Sequence, residues 1–177
     1  MTTAEYFQTP ETVLPRELAY GVPRVADAPT TWHQRVVLDF ALALAPFVRE
    51  RHLGEILIAP TDVILDAAAA LVVQPDLLFV SLERGLIVSD RVYGAPDLTI
   101  EVLSPHPRIG ELQERIGWFA KYGVRECWLA DTTEKSIVVL SLTTDGVAAR
   151  TIHRGADPVQ TRVIEGLRLT PLSVLGW

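Results

Sequence analysis

A chain of 177 residues is long enough to bury a hydrophobic core and fits one domain spanning residues 1–177. Hydrophobic residues make up 49% and charged residues 21%, which excludes an intrinsically disordered chain, and no apolar run approaches the roughly 20 residues of a membrane span. The net charge of −6 excludes nucleic-acid binding through bulk electrostatics, although a local basic patch or a bound divalent cation can reverse the field locally.

The N-terminal stretch MTTAEYFQTPE has neither the basic region nor the apolar region of a signal peptide. The single cysteine, Cys127, has no partner for an internal disulfide. Both features predict a cytoplasmic protein.

The prolines of the first 30 residues predict an irregular entry to the fold. Within it, RELAYGVPRV has the pattern of a short hairpin that turns at Gly21 and carries Glu17 in its first arm.

A long helix is predicted next, capped by Thr30 or Thr31 and running to about His52. Its apolar residues recur at helical spacing, and Pro46 predicts a kink or a break inside it. His33 lies in the first turn.

Several strands follow. EILIA and DVILD predict two strands around Pro60, joined as a hairpin or a sharp bend, and LVVQPDLLFV predicts one strand with Pro75 at a bulge or edge position. DLTIEVLS alternates as a further strand, with Asp97 and Glu101 on one face.

The rest of the chain continues the alternation of helices and strands. A helix is predicted from about Arg108 to Tyr122, ending at Gly123. Then come the strand ECWLAD, a hairpin turning at Asp145-Gly146, and a last strand with a short terminal helix. This order predicts an α/β (α+β) domain with a mixed central sheet flanked by helices.

Two carboxylates need an explanation, because an acidic side chain inside a strand is costly to bury unless it is paired or bound to a cation. If their strands are neighbours, Asp76 and Glu101 lie about 5 Å apart across the ladder, where two carboxylates repel and a hard divalent cation relieves the repulsion. Asp97 and Glu101, four residues apart on one strand, are separated by about 13 Å and cannot share one ion without severe distortion.

The pattern QPDLLFV, GAPDLTIEVLSP and GVRECWLAD resembles the Uma-two family of endonucleases, a branch of the PD-(D/E)XK nuclease superfamily. The resemblance covers about Glu17 to Leu169. It implies a restriction-endonuclease-like core in which Asp76 and Glu101 coordinate Mg²⁺ or Mn²⁺. Glu17 matches an acidic position of the family's early segment.

The chain departs from that pattern at one position. Leu103 stands where the superfamily often has its lysine, and the family typically places that lysine on the next helix, in a run resembling D-L-x-x-K. Here the run is ELQER, so Arg115 takes the lysine position. An arginine can stabilise an anionic oxygen, but it stays charged and cannot act as a base.

Structural alternatives remain open for each candidate. Arg115 is as consistent with a surface pair to Glu111 as with a site role. Asp76 could cap a turn or pair with an arginine, and Asp97 has the position of a structural hydrogen-bond acceptor. Further candidates with weaker support are Glu17, His33 and Gln74.

These observations predict a metal-dependent nuclease that hydrolyses phosphodiester bonds in nucleic acid, with DNA as the expected substrate and a homodimer as a suitable assembly for cutting both strands. The alternative hypothesis is a nuclease fold that has lost catalysis and works by binding nucleic acid or protein. Its basis is the missing lysine together with the acidic pI of about 5.2.

Overall fold

The computed structural model describes residues 1–10, 14–103 and 111–176, which form two β-sheets with helices packed against them. The helices are α1 (Thr3–Gln8), α2 (Thr31–Glu50), α3 (Leu112–Tyr122) and α4 (Pro171–Leu175), with a 3₁₀ helix at Leu82–Ile87. The strands are β1 (Arg16–Ala19), β2 (Val22–Val25), β3 (Gly54–Ile58), β4 (Val63–Asp66), β5 (Leu71–Val73), β6 (Leu77–Ser81), β7 (Val92–Tyr93), β8 (Leu98–Leu103), β9 (Glu126–Asp131), β10 (Ser136–Thr143) and β11 (Gly146–Arg154).

The strands form two mixed sheets where the sequence predicted one. The first sheet has the order β2-β1-β5-β4-β7 and the second has the order β11-β10-β9-β8-β6-β3. Each contains one parallel pair, β4 with β7 and β8 with β9. Within the described residues, no helix is both long and apolar enough to cross a membrane.

One bent hairpin connects the two sheets. β3 pairs with β6 and β4 pairs with β5, so that β3–β4 and β5–β6 are two arms that leave the second sheet together and enter the first. The arms bend at Pro60 and at Pro75, which have no amide hydrogen to give to a ladder. The single strand predicted across Pro75 is therefore wrong, because the chain changes sheets there, and EILIA and DVILD are joined by a bend and not by a hairpin.

Three apolar clusters hold the layers together. The first lies between α2, α4 and one face of the second sheet, with Phe40 and Trp128 among its fully buried side chains. The second joins the opposite face of that sheet to α3 and the first sheet, around Phe119. The third packs α1 against the first sheet through Tyr6. The site-bearing strands β6 and β8 are therefore buried on both faces.

The entry of the chain is more regular than predicted. Thr2 and Glu5 form a capping box that starts α1, which the sequence analysis missed. The β1–β2 hairpin is confirmed, and it turns through Tyr20 and Gly21, whose positive φ values of 49° and 84° suit a two-residue turn.

The long helix α2 begins as predicted, with the Thr30 side chain accepting from the His33 amide at 3.2 Å. It continues through Pro46 to Glu50 instead of breaking. Both Pro46 and Leu42 face solvent, so water can hydrate the carbonyl that the proline leaves unbonded.

The second half of the chain largely matches the prediction. α3 ends at Gly123, whose φ of 97° only glycine adopts readily, while the predicted start near Arg108 lies outside the described residues. β9 and the β10–β11 hairpin are confirmed. Residues 155–170 contain no strand, so the predicted last strand is wrong, and the short terminal helix is α4.

Candidate active site

The bend between β5 and β6 places Asp76 at the junction of the two sheets. β6 and β8 are antiparallel neighbours with Leu77 opposite Ile100, so the next position along each strand sets Asp76 opposite Glu101. The Asp76 Oδ2 atom accepts from the Val102 amide at 2.8 Å and lies 3.1 Å from His33 Nε2. The predicted adjacency of the two strands is confirmed.

Glu101 points to the face of β8 that α3 covers. Its Oε1 atom accepts from Arg115 Nε at 2.8 Å, and its side chain is 12% exposed. Burial raises the pKa of the Glu101 carboxyl to about 8, and the charges of Asp76 and Glu17 act in the same direction while Arg115 opposes them. Even with the Arg115 guanidinium beside it, Glu101 is therefore largely protonated at neutral pH, and a second cation would favour its ionised form.

Arg115 joins Glu101 to Glu17, which comes from the first sheet. Its Nη1 atom donates to both Glu17 oxygens, at 2.6 and 2.7 Å. Burial acts to lower the pKa of the guanidinium, but the charges of Glu101 and Glu17 outweigh that effect and raise it. The surface pair between Arg115 and Glu111 is wrong, because a buried arginine held by two other carboxylates has no need of it.

The Glu17 carboxylate is held in turn by the bend. Its Oε1 atom accepts from the Gln74 amide at 2.6 Å. The Gln74 side chain accepts from the Arg16 amide at 3.3 Å and donates to Asp62 Oδ1 at 2.9 Å. Gln74 thus holds the Glu17 carboxylate through its backbone and links it to Asp62 through its side chain. The sequence analysis missed Asp62, because only the bend at Pro60 and Pro75 brings it into this network.

The β1–β2 hairpin that carries Glu17 is also fixed to the helix that carries Arg115. Arg24 pairs with Glu114 at 2.9 Å and lies 5.4 Å from the centre of the Trp118 ring. The β1–β2 hairpin and α3 are therefore held together by contacts outside the pair between Glu17 and Arg115.

Asp97 is not part of this cluster. It precedes β8, at the opposite end of the strand from Glu101, and it is 1% exposed. Its oxygens accept from the Ser81 amide at 2.8 Å and from Arg125 at 3.1 Å, and Arg84 lies at 3.4 Å. This is the geometry of a structural acceptor.

The side chains of the cluster lie at graded depths. Exposure falls from 18% for Asp76 and 12% for Glu101 to 9% for Arg115 and 1% for Glu17. Asp76 is therefore the most accessible of the four side chains, and Glu17 is fully buried.

The donor set of Asp76 and Glu101 fits a hard divalent cation. One oxygen of each carboxylate is engaged, Asp76 Oδ2 by Val102 and His33 and Glu101 Oε1 by Arg115, while Oδ1 and Oε2 accept from no described residue. Within the described ranges, no group of three or more His, Cys, Asp or Glu side chains is arranged to hold an ion. Two carboxylates suffice for Mg²⁺, which usually keeps several waters and takes further oxygens from substrate phosphate.

A solved structure has the same architecture. The chain resembles the crystal structure of "a putative nuclease belonging to DUF820 from Anabaena variabilis ATCC 29413" with a TM-score of 0.84 and 19% sequence identity, over 100% of this chain and 98% of the other. The fold is thus an α/β fold found in a protein described as a nuclease.

The family follows from the sequence match. The model of the Uma2 family, described as "Putative restriction endonuclease", matches residues 3–173, and the chain belongs to that family. No curated protein matches the chain. The resemblance inferred from the motifs around Asp76 and Glu101 is confirmed.

Proposed function

We propose that this protein is a divalent-metal-dependent nuclease that hydrolyses phosphodiester bonds in DNA. The observation that supports the proposal is the β6–β8 register, in which Asp76 and Glu101 belong to neighbouring segments of one sheet and Arg115 donates to Glu101. The description of the Uma2 family as restriction endonucleases supports DNA as the substrate.

Asp76 and Glu101 would hold Mg²⁺ or Mn²⁺ through the oxygens that no described residue engages. A divalent cation bound in this way activates a water molecule and stabilises the charge that develops on a phosphate. The Val102 amide and Arg115 Nε fix the other oxygen of each carboxylate, which orients both groups before any ligand arrives.

Arg115 would contribute to the substrate side of the same site. Its Nε and Nη1 atoms are engaged by Glu101 and Glu17, whereas Nη2 donates to no described residue. Nη2 would then donate to a non-bridging phosphate oxygen, and a charged donor of this kind stabilises negative charge without taking up a proton.

Cleavage of supercoiled and linear duplex DNA with Mg²⁺ or Mn²⁺ tests the proposal. Asp76→Asn and Glu101→Gln should each lower the rate by about 100-fold or more, because each removes a charged ligand. The matched controls are Asp27→Asn and Glu83→Gln, which make the same changes at exposed positions. Wild-type rates in Asp76→Asn would overturn the assignment.

One observation favours a second candidate, a nuclease fold that binds DNA without cutting it. The resemblance to the family implies a lysine at this position, whereas the residue here is Arg115, which pairs with Glu17 and Glu101 and supplies no titratable amine. On this candidate, the wild type retains DNA in a binding assay with Ca²⁺ or Mg²⁺ and leaves it intact, and Arg115→Lys gains metal-dependent cleavage. Efficient cutting by the wild type would eliminate this candidate.

Two further elements of the proposal concern assembly and location. A homodimer would supply two sites for the two strands of a duplex, and light scattering on the eluting protein measures its mass directly. A stable monomer that still cuts both strands would contradict the dimer. A cytoplasmic location agrees with the one cysteine, Cys127, which is buried in the core as a free thiol.

A further inference from the structure

We propose that His33 is a positioning residue for Asp76, holding Oδ2 so that Oδ1 remains available to a divalent cation. The inference rests on the proposed function and extends the site to α2, which carries none of Asp76, Glu101 and Arg115.

The contact comes from α2, which packs on the face of the second sheet opposite to α3. His33 lies in the first turn of α2, is 6% exposed, and places Nε2 3.1 Å from Asp76 Oδ2. The same oxygen accepts from the Val102 amide at 2.8 Å. The carboxylate is therefore held by two elements, the helix through a ring nitrogen and β8 through its backbone.

The other ring nitrogen indicates what the residue is for. His33 Nδ1 is buried and has no hydrogen-bond partner among the described residues. A buried polar atom without a partner costs stability, and an apolar ring in the same place would avoid that cost. The only polar side-chain contact of His33 within the described part of the chain is the one to Asp76, so this contact is the feature that a histidine adds here.

The ring also has a rigid support. The Thr30 cap fixes the first turn of α2, and Val36, Val37 and Phe40 anchor the helix in the first apolar cluster against the second sheet. A side chain on such a helix can hold its partner within the narrow tolerance that a metal site needs. Partners of this kind, one step removed from the ion, typically change metal affinity by about 10- to 100-fold when removed.

Calorimetric titration of the metal-free protein with Mn²⁺ alone tests the role. His33→Phe removes the donor and keeps a ring, and it should weaken the dissociation constant by about 10- to 100-fold. His33→Gln can place an amide donor near the position of Nε2 and should stay within about threefold of the wild type. His52→Asn removes an exposed histidine and should leave the affinity unchanged.

Urea unfolding of the same variants in EDTA separates positioning from a structural role. If both His33 variants lose stability while their Mn²⁺ affinities equal that of the wild type, the proposal is overturned. Equal loss of affinity in His33→Phe and His33→Gln would overturn it as well, because the donor would then not be what matters.

Asp76→Asn, titrated in parallel, distinguishes this proposal from the proposed function. If the wild type binds Mn²⁺, Asp76→Asn does not, and His33→Phe binds as the wild type does, only the role of His33 is refuted. If the wild type does not bind Mn²⁺, or if Asp76→Asn binds it as tightly as the wild type does, the proposed metal site is refuted. The role of His33 is then refuted as well.

Discussion

Replacing Arg115 with methionine should leave a buried carboxylate without a compensating cation, and the structure identifies which carboxylate. The substitution removes hydrogen bonds of 2.6 and 2.7 Å to Glu17 and of 2.8 Å to Glu101. Removing one partner of a buried ion pair typically costs about 3–5 kcal/mol, since the other charge is left without compensation. That cost is a large part of the roughly 5–15 kcal/mol by which a native domain is stable.

The cost should fall on Glu17 rather than on Glu101. The pKa of Glu101 is about 8 even with Arg115 present, so Glu101 can take up a proton near neutral pH when the arginine is lost. Glu17 is 1% exposed, and both of its oxygens accept from Arg115, so losing the guanidinium removes the cation that this buried carboxylate contacts. Glu17→Gln in the Arg115→Met background should therefore recover roughly half or more of the lost stability, and Glu101→Gln should recover less.

Urea unfolding at pH 7 in EDTA provides the measurement. With a slope of about 2–3 kcal/mol per molar urea, Arg115→Met should lower the midpoint by about 1–2 M. A cost below about 1 kcal/mol, or equal recovery from Glu17→Gln and Glu101→Gln, would refute the reasoning, because the guanidinium would then not be neutralising Glu17 in a buried site.

Three other outcomes follow from the same contacts. The pKa of Glu101 is 4.5 in the unfolded chain and about 8 in the folded protein, so between these pH values the folded state holds an extra proton. The free energy of unfolding should therefore fall as pH rises through that range, by at most about 4–5 kcal/mol. Glu101→Gln should remove this dependence on pH. Mn²⁺ binding at pH 7 should release up to about one proton, seen as a buffer-dependent heat in calorimetry, and no buffer dependence would contradict an uncharged Glu101. Asp97→Ala should cost about 1–3 kcal/mol in urea unfolding by leaving the Ser81 amide unbonded, yet leave the Mn²⁺ affinity of the folded protein unchanged.

The two carboxylates of the site could be predicted from the sequence because each belongs to a local pattern. Strand alternation gives the face of Glu101, and the adjacency of two apolar strands brings Asp76 opposite to it. What the pattern did not give is the change of sheet at Pro75. A proline inside an apolar run is compatible with a bulge, an edge or a break, and only the matching bend at Pro60 on the paired arm selects the break.

The remaining members of the cluster depend on contacts between distant segments. Glu17 and Arg115 are 98 positions apart, and their contact requires that the β1–β2 hairpin of the first sheet pack against α3. Helical periodicity placed Arg115 at the border of the buried stripe, where a surface pair and a buried one are equally consistent with the sequence. The choice between them is made by Glu17, a residue whose side chain would be costly to bury alone and whose burial therefore requires the arginine.

The pairing of Arg115 with Glu17 also bears on the identity of residue 115, where the resemblance to the family implies a lysine and this chain has an arginine. A guanidinium has donors in a fixed fork, so Arg115 can hold Glu101 through Nε and Glu17 through Nη1, while Nη2 donates to none of the residues that the structure describes. An ammonium is a compact charge that must be shared among the same partners.

Arg115→Lys alone thus changes both the ion pair of Glu17 and the chemistry of the site, and a loss of cleavage in this variant would not separate these two effects. The double variant with Glu17→Gln does, because the neutral amide no longer requires a cation. Cleavage that returns in the double variant would show that lysine is chemically competent and that the arginine is retained for Glu17.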